Sequence, residues 1–387
     1  MNNGKNLVLV FLVLACSSCY IRIGERKAPT QDYLILDAYS VDNGIGDRYI
    51  PCEMAICSDD MWVLSVWNMT DSCNTFFLSV DNGVNWEMLS SLDKKWTCEN
   101  VLVDNDIIYC SALNQDRIGK TTVNAGKIFR SIDYGESWEE LFVFDAYVEH
   151  MMVVDSSLAV QLCSVTEMDG EDVYDVEHTI QISNDLGKTW RGYTFGNFYV
   201  SSFSSDKITV AVGGRRESIL EIIPERQIID TISSDSKMIT NVVRGDDIVG
   251  LTNGGSADYF RIIDGVANFY SRIQYGGPFV NHTPVRIYQY DSIVFTKVLV
   301  PGLNSTSKMF ASTDRARTWT QVSAKSEIDN QLDSVWTPEG NAWFMAGYKD
   351  RMVSYCVGYK DGMRQDFIKV IRPKRGLRRP ALIALSG

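Results

Sequence analysis

The residues best suited to grip a ligand are two adjacent arginines, Arg215 and Arg216, which directly follow Gly213-Gly214. A guanidinium presents a planar fork of N–H donors that holds a carboxylate or phosphate through two parallel hydrogen bonds. Neighbouring residues on a strand point to opposite faces, but a loop opened by two glycines escapes that alternation and can aim both forks at one target. Arg48, Arg117 and Arg351 are the further candidate ligand-binding groups. Asp71, Glu217 and Tyr348 add carboxylate and phenol groups to the candidate set. Glu167, Asp169, Glu171, Asp172, Asp175 and Glu177 crowd one loop with carboxylates but lack the spacing of an EF-hand, so the set reads as a solvated loop. His150, His178 and His282 stand apart in the sequence, and the nine Cys show no CxxC…CxxC spacing. No metal site and no cofactor is expected.

The chain has 387 residues, with 37 Lys and Arg against 49 Asp and Glu, a formal charge of −12. Hydrophobic residues make up 45% and charged residues 22%, which excludes disordered, collagen-like and multispan membrane classes. The acid excess is sharper in the body than in the whole, because Lys5 precedes the amino-terminal apolar run and Arg372, Lys374, Arg375, Arg378 and Arg379 cluster at the carboxyl end. Binding a phosphate backbone requires clustered Lys and Arg, so nucleic acid is not an expected partner. The 28 Gly, 18 Tyr, 16 Phe and 9 Trp favour strands joined by tight turns. Helical periodicity of useful length is missing, which makes the fold class all-β.

A repeating signal positions the candidate groups. An apolar strand, an Asp/Ser/Gly turn and a second apolar strand recur around residues 60, 106, 156, 206, 247, 292 and 340, at steps of 41 to 50 residues. Such a unit suits four strands of about six residues with their turns, one blade of a propeller. The spacing predicts a single seven-bladed β-propeller with blades near 53–89, 100–144, 149–195, 198–233, 237–273, 284–322 and 331–371. The strand-like run Tyr33–Tyr39 should help seal the ring. In a four-stranded blade the A–B and C–D turns share one face of the disc, and the B–C loops with the blade-to-blade connections share the other. The second face, at the channel mouth, is where a ligand is expected. Assigned to it are Arg48, Trp67, Asn68, Asp71, Gln115, Asp116, Arg117, the acidic loop, Arg215, Arg216, Glu217, Tyr348, Lys349, Asp350 and Arg351.

Four segments share S-x-D-x-G-x-x-W: Ser79, Asp81, Gly83 and Trp86; Ser131, Asp133, Gly135 and Trp138; Ser183, Asp185, Gly187 and Trp190; and Ser312, Asp314 and Trp319, with Ala316 in place of Gly. The logic of the motif is local: Gly supplies a backbone angle other residues resist, Ser and Asp bond the turn's own amides, and Trp plugs the space beneath. These segments resemble the Asp-box, or bacterial neuraminidase repeat, of β-propellers. In families that carry it the box is structural and lies away from any catalytic centre. The resemblance extends to sialidases, six-bladed enzymes that clamp a sugar carboxylate with three Arg and use a Tyr nucleophile, a Glu and an acid/base Asp. Arg48-Tyr49-Ile50-Pro51 is similar to their first Arg motif with the Arg and aromatic exchanged, and Asp71 is placed like their Asp. Tyr348, however, lies on the far side of the strand after Pro338-Glu339-Gly340, where the family places its Tyr before such a turn. Seven repeats look more like the photosystem II assembly factor family, the xyloglucan-cleaving propellers or the sortilin-type group, with the six-bladed sialidase type as the alternative.

At the amino terminus the apolar run Leu7–Ala15 is too short to cross a bilayer core of about 30 Å and fits a signal peptide. Val13-Leu14-Ala15-Cys16 resembles the bacterial lipobox, which implies lipidation of Cys16 and, with Ser17 next, an outer-membrane or cell-surface location, or a periplasmic one without the lipid. The expected organisation is a signal peptide over 1–15, a tether over 16–31, a propeller over 32–372 and a basic tail over 373–387. The expected activity is that of an exported binding or assembly module for a glycan or protein ligand, attached to the membrane by its lipid. An exo-sialidase-like glycoside hydrolase is the rival, and for it the resemblance implies Asp71, Glu217 and Tyr348 as the catalytic groups.

Overall fold

The computed structural model describes residues 34–374 apart from 95, 115–125, 155, 168–173, 195–197, 204–206, 213–217, 225–227, 233–238, 254–255, 265, 274–281, 301–305, 323–326, 329–330 and 337–344. Cys16, Arg117, Arg215, Arg216 and Glu217 lie outside the described residues, as do the signal segment, the tether and most of the basic tail.

Every regular element among the described residues is a strand, save a single 3₁₀ position at Gln331. After β1 (Leu34–Ser40) come six four-stranded antiparallel meanders. The first holds β2 (Tyr49–Ile56), β3 (Trp62–Asn68), β4 (Cys73–Ser79) and β5 (Glu87–Ser91). The second holds β6 (Trp96–Asp104), β7 (Ile107–Asn114), β8 (Gly126–Ser131) and β9 (Glu139–Phe144), and the third β10 (Tyr147–Val154), β11 (Ser157–Glu167), β12 (Tyr174–Ser183) and β13 (Arg191–Thr194). The fourth is β14 (Phe198–Phe203), β15 (Ile208–Val212), β16 (Ser218–Ile223) and β17 (Ile228–Ile232), and the fifth β18 (Ile239–Arg244), β19 (Ile248–Asn253), β20 (Ser256–Ile263) and β21 (Val266–Ile273). The sixth is β22 (Thr283–Tyr290), β23 (Ile293–Val300), β24 (Thr306–Ser312) and β25 (Thr320–Gln321).

A closing sheet joins the two ends of the chain. β26 (Ser334–Trp336) and β27 (Met345–Tyr348) both pair with one edge of β28 (Arg351–Lys360), β29 (Met363–Pro373) pairs with its other edge, and β1 completes the sheet against β29 from Leu34↔Pro373 to Ser40↔Phe367. The first strands of successive sheets lie side by side: β2 beside β6, β6 beside β10, β14 beside β18, β18 beside β22, and β27 back beside β2. Apolar layers fill the gaps between sheets, with Trp62, Leu64, Tyr355 and Ile368 between the closing sheet and the first, and Val154, Ile180, Ile208 and Ile222 between the third and fourth. Burying each such side chain contributes roughly 1.5–3 kcal/mol. The burial pattern follows from position: β3 is buried at six of its seven residues because sheets cover both faces, whereas β5 and β13 at the outer edge are mostly exposed. The seven described cysteines are free thiols, with the sulfurs of Cys98 and Cys110 3.0 Å apart.

The four S-x-D-x-G-x-x-W segments fold as self-contained turns. Ser79 Oγ donates to Asp81 Oδ1 (2.9 Å) and accepts from Gly83 N (2.8 Å), while Asp81 Oδ1 also accepts from Asn85 N (2.8 Å). The same three bonds recur at Ser131 and Asp133, Ser183 and Asp185, and Ser312 and Asp314. Gly83, Gly135 and Gly187 take φ of +81°, +95° and +93°, and Ala316 is forced to +61°. Trp86 is buried and donates its Nε1–H to Gly83 O, but Trp138, expected to be largely buried, is only partly covered. Its Nε1–H crosses to Ser90 Oγ of the preceding sheet at 2.8 Å while its ring lies 4.3 Å from the buried Phe76, so it staples two sheets and covers the edge of the core between them.

Candidate functional site

The two faces of the disc are marked by their bonds. Asn82 N donates to Asp60 O and Arg315 N to Ser292 O, tying these two Ser-Asp turns to the turn between the first two strands of their own sheets. On the opposite face Met69 N donates to Arg48 O, and Leu92 N to Asn74 O.

The first strands carry a feature that the turn pattern does not reveal. All six regular meanders have one extra residue on the innermost strand, close to its start: Cys52 in β2, Glu99 in β6, Glu149 in β10, Tyr199 in β14, one residue within Thr240-Asn241 in β18 and Val285 in β22. A bulge leaves a residue out of the ladder and re-aims the side chains around it. Because each innermost strand begins on the face opposite the Ser-Asp turns, the bulges form a ring at that mouth of the channel.

This ring gathers charge from sheets distant in sequence. Arg286, after the bulge of β22, reaches to 3.7 Å from Glu53, after the bulge of β2, and its side chain stays 46% exposed. Burial pushes the Glu53 carboxyl up to about 7, opposed by the Arg286 and Lys297 charges. Burial also brings Lys297 on β23 down to about 8, aided by repulsion from Arg286 and opposed by Glu53. His150 touches solvent yet is crowded by protein, and that desolvation holds its imidazole below the ordinary value, with Glu149 pulling the other way. A recess of about 10 Å³ behind the pair is lined by Arg286, Lys297 and the apolar side chains of Ile287, Phe295, Met309 and Met352. That is about the space of one water molecule, so a ligand would meet the pair from the channel side and not in the recess.

On the third sheet a second cluster lies at the same mouth. Glu149 accepts from His178 Nδ1 at 3.1 Å and from Gln161, and Cys163 stands beside both. Burial, then the Glu149 charge, pushes the Cys163 thiol up to about 11.

The sequence candidates divide between the two faces. Arg48 and Asp71 lie at the bulge mouth, but Arg48 stacks on the Tyr49 ring at 4.7 Å and Asp71 accepts from Asn68 Nδ2 at 2.8 Å. Tyr348 and Arg351 flank the Lys349-Asp350 turn between β27 and β28, and this turn lies on the Ser-Asp face: Lys349 Nζ is 2.9 Å and Arg351 3.5 Å from Asp59 in the β2–β3 turn. Their expected placement at the channel mouth is therefore corrected. The turn that leads into β28 is Lys349-Asp350, after β27, and Glu339-Gly340, expected to be that turn, lies outside the described residues. The constellation Arg48, Asp71 and Tyr348 does not share one cleft. The isolation expected of His178 is likewise corrected, because register and bulge bring it to Glu149 and Cys163. The available signal was a polar pair inside an otherwise apolar first strand, Cys52-Glu53, Glu99-Asn100 and Glu149-His150.

An all-β propeller with a charged channel mouth is thus the class that fold and site define. No family description matches the sequence, and no curated protein does. Among solved structures, the acylaminoacyl peptidase of Pyrococcus horikoshii is similar with a TM-score of 0.51 at 8% identity, over 85% of this chain and 53% of its own. This chain therefore spans about half of that enzyme, and the likeness is one of fold alone. A protein of unknown function from Dyadobacter fermentans DSM 18053 aligns over 88% of this chain and 99% of its own, with a TM-score of 0.48 and 11% identity. The α-L-arabinofuranosidase Arb93A of Fusarium graminearum aligns over 87% and 98%, with a TM-score of 0.43 and 13% identity.

Proposed function

We propose that the protein is an exported binding or assembly propeller that takes an acidic group of a glycan or protein ligand at the bulge mouth. The observation that carries this reading is Arg286, held by a bulge across from Glu53 and next to Lys297, with its guanidinium still open to solvent. Two cations facing one carboxylate of raised pKa leave a site that favours an anion. The closing sheet counts as a seventh blade in this reading, the repeated turns are Asp-boxes, and Cys16 carries the lipid. Catalysis of sialidase type loses support because Tyr348 and Arg351 sit on the other face. The test is a glycan array paired with a fluorogenic sialoside: binding to carboxylate-bearing sugars without turnover is expected, and turnover would make the protein a hydrolase instead. Cys16→Ser is expected to move the protein from membranes to soluble extract, and unchanged partitioning contradicts the anchor.

A further inference from the structure

Glu149, Cys163 and His178 come from three strands and no shared motif, yet each offers one ligand atom and the three atoms lie within 4.8 Å of one another. The register accounts for this. Cys163 on β11 stands directly opposite His178 on β12, and opposite Tyr147 on β10, so thiol and imidazole are cross-strand neighbours. The β10 bulge then turns the Glu149 carboxylate toward them, where His178 Nδ1 already meets Oε2 at 3.1 Å. Gln161 donates its amide to the same carboxylate, which is the support a ligating carboxylate needs to hold its orientation. The thiol is buried, while the His178 and Glu149 side chains keep 17% and 26% of their exposure, so solvent reaches the cluster from one side.

We propose that Glu149, Cys163 and His178 bind a zinc ion, with the fourth tetrahedral position open to that solvent. One thiolate, one imidazole and one carboxylate make up the three-ligand set of an open zinc site. The sulfur disfavours calcium and magnesium, which select oxygen. Zinc bonds of about 2.0–2.3 Å require the three atoms to draw together by roughly an ångström, within reach of side-chain rotation. Binding replaces the Cys163 S–H bond with a sulfur–zinc bond, and the proton leaves to solvent. The site is separate from the Arg286 anion site, so the two proposals can fail independently.

Chelator-stripped whole protein is titrated with zinc against a chromophoric competitor, then with cobalt(II) as the spectroscopic substitute. One zinc per chain is expected, and the cobalt form should show a thiolate charge-transfer band. Cys163→Ser should abolish the band, and Glu149→Gln and His178→Ala should each weaken zinc binding at least about tenfold. X-ray absorption of the zinc-loaded parent needs no variant: one sulfur at about 2.3 Å is expected. No stoichiometric zinc uptake, an oxygen-only shell, or a band that survives Cys163→Ser overturns the proposal.

Discussion

The two faces of the disc treat charge in opposite ways. On the Ser-Asp face the Asp of each repeated turn is held by that turn: bonds from Ser131 and Ser137 bring Asp133 down to about 2, and bonds from Thr189 and Ser183 do the same for Asp185. At the channel mouth Glu53 is pushed up to about 7 and Lys297 brought down to about 8 by protein packed around them. Carboxylates satisfied by neighbours a few residues away do a structural job and offer nothing to a ligand. Groups kept from their preferred ionisation, brought together from distant sheets, gain from meeting a counter-charge. The same contrast appears in the backbone, where the Ser-Asp turns use positive φ to close on themselves and the bulges open the ladder to aim side chains outward.

The largest expected effect is on the structural face. Trp86 is 8% exposed and packs edge-on against Tyr355 at 5.7 Å, so Trp86→Ala should cost about 3–5 kcal/mol in chemical unfolding. Ligand binding below the melting transition should be unchanged; selective loss of binding with stability retained would erase the distinction between faces. Next comes pH at the mouth. An anion should bind best below about pH 7, where Glu53 is protonated and Lys297 charged, weaken as Glu53 ionises near 7, and weaken again as Lys297 loses its proton near 8. Glu53→Gln should remove the first step and leave the second, and a profile unaffected by that change places the ligand elsewhere. For stability the sign is set by the same shift: the Glu53 contribution, with its folded value raised from 4.5, is present at acid pH and lost as pH rises through about 7.

The smallest effects separate the four turns. Gly187 sits at φ +93° with Leu141 Cδ1 3.0 Å from where a Cβ would stand, so Gly187→Ala should cost about 1–2 kcal/mol. Ala316→Gly relieves similar strain at +61° but loses a buried methyl worth about 0.8 kcal/mol. Thermal unfolding should therefore move little for Ala316→Gly and fall clearly for Gly187→Ala; equal shifts would mean the turns do not depend on left-handed backbone.

The architecture was legible because turns advertise themselves. The signals at residues 60, 106, 156, 206, 247 and 292 fall in or beside the connections between the first two strands of the six regular sheets, since Asp, Ser and Gly are selected there by local backbone geometry. The seventh signal misled because the turn into β28 is Lys349-Asp350, after β27, and not at residue 340, and one misplaced turn exchanged the faces of Tyr348 and Arg351. The site was far less legible. A bulge shifts register by one residue and leaves only a pair such as Glu149-His150 in an apolar strand, and the meeting of Arg286 with Glu53 depends on ring closure across more than half the chain.

In the proposed function the bulge mouth, and not the Ser-Asp face, receives the ligand. Arg286→Glu and Arg351→Glu reverse one arginine on each face, and the ion pairs of Arg351 with Asp59 and Asp350, at 3.5 and 3.9 Å, contribute about 0–1 kcal/mol. Measured side by side against a carboxylate-bearing glycan, Arg286→Glu should lose binding by about a hundredfold, as expected when a charge-assisted contact of about 1.5–3 kcal/mol is replaced by repulsion, while Arg351→Glu binds like the parent. Loss of binding in Arg351→Glu, with Arg286→Glu unaffected, would contradict it.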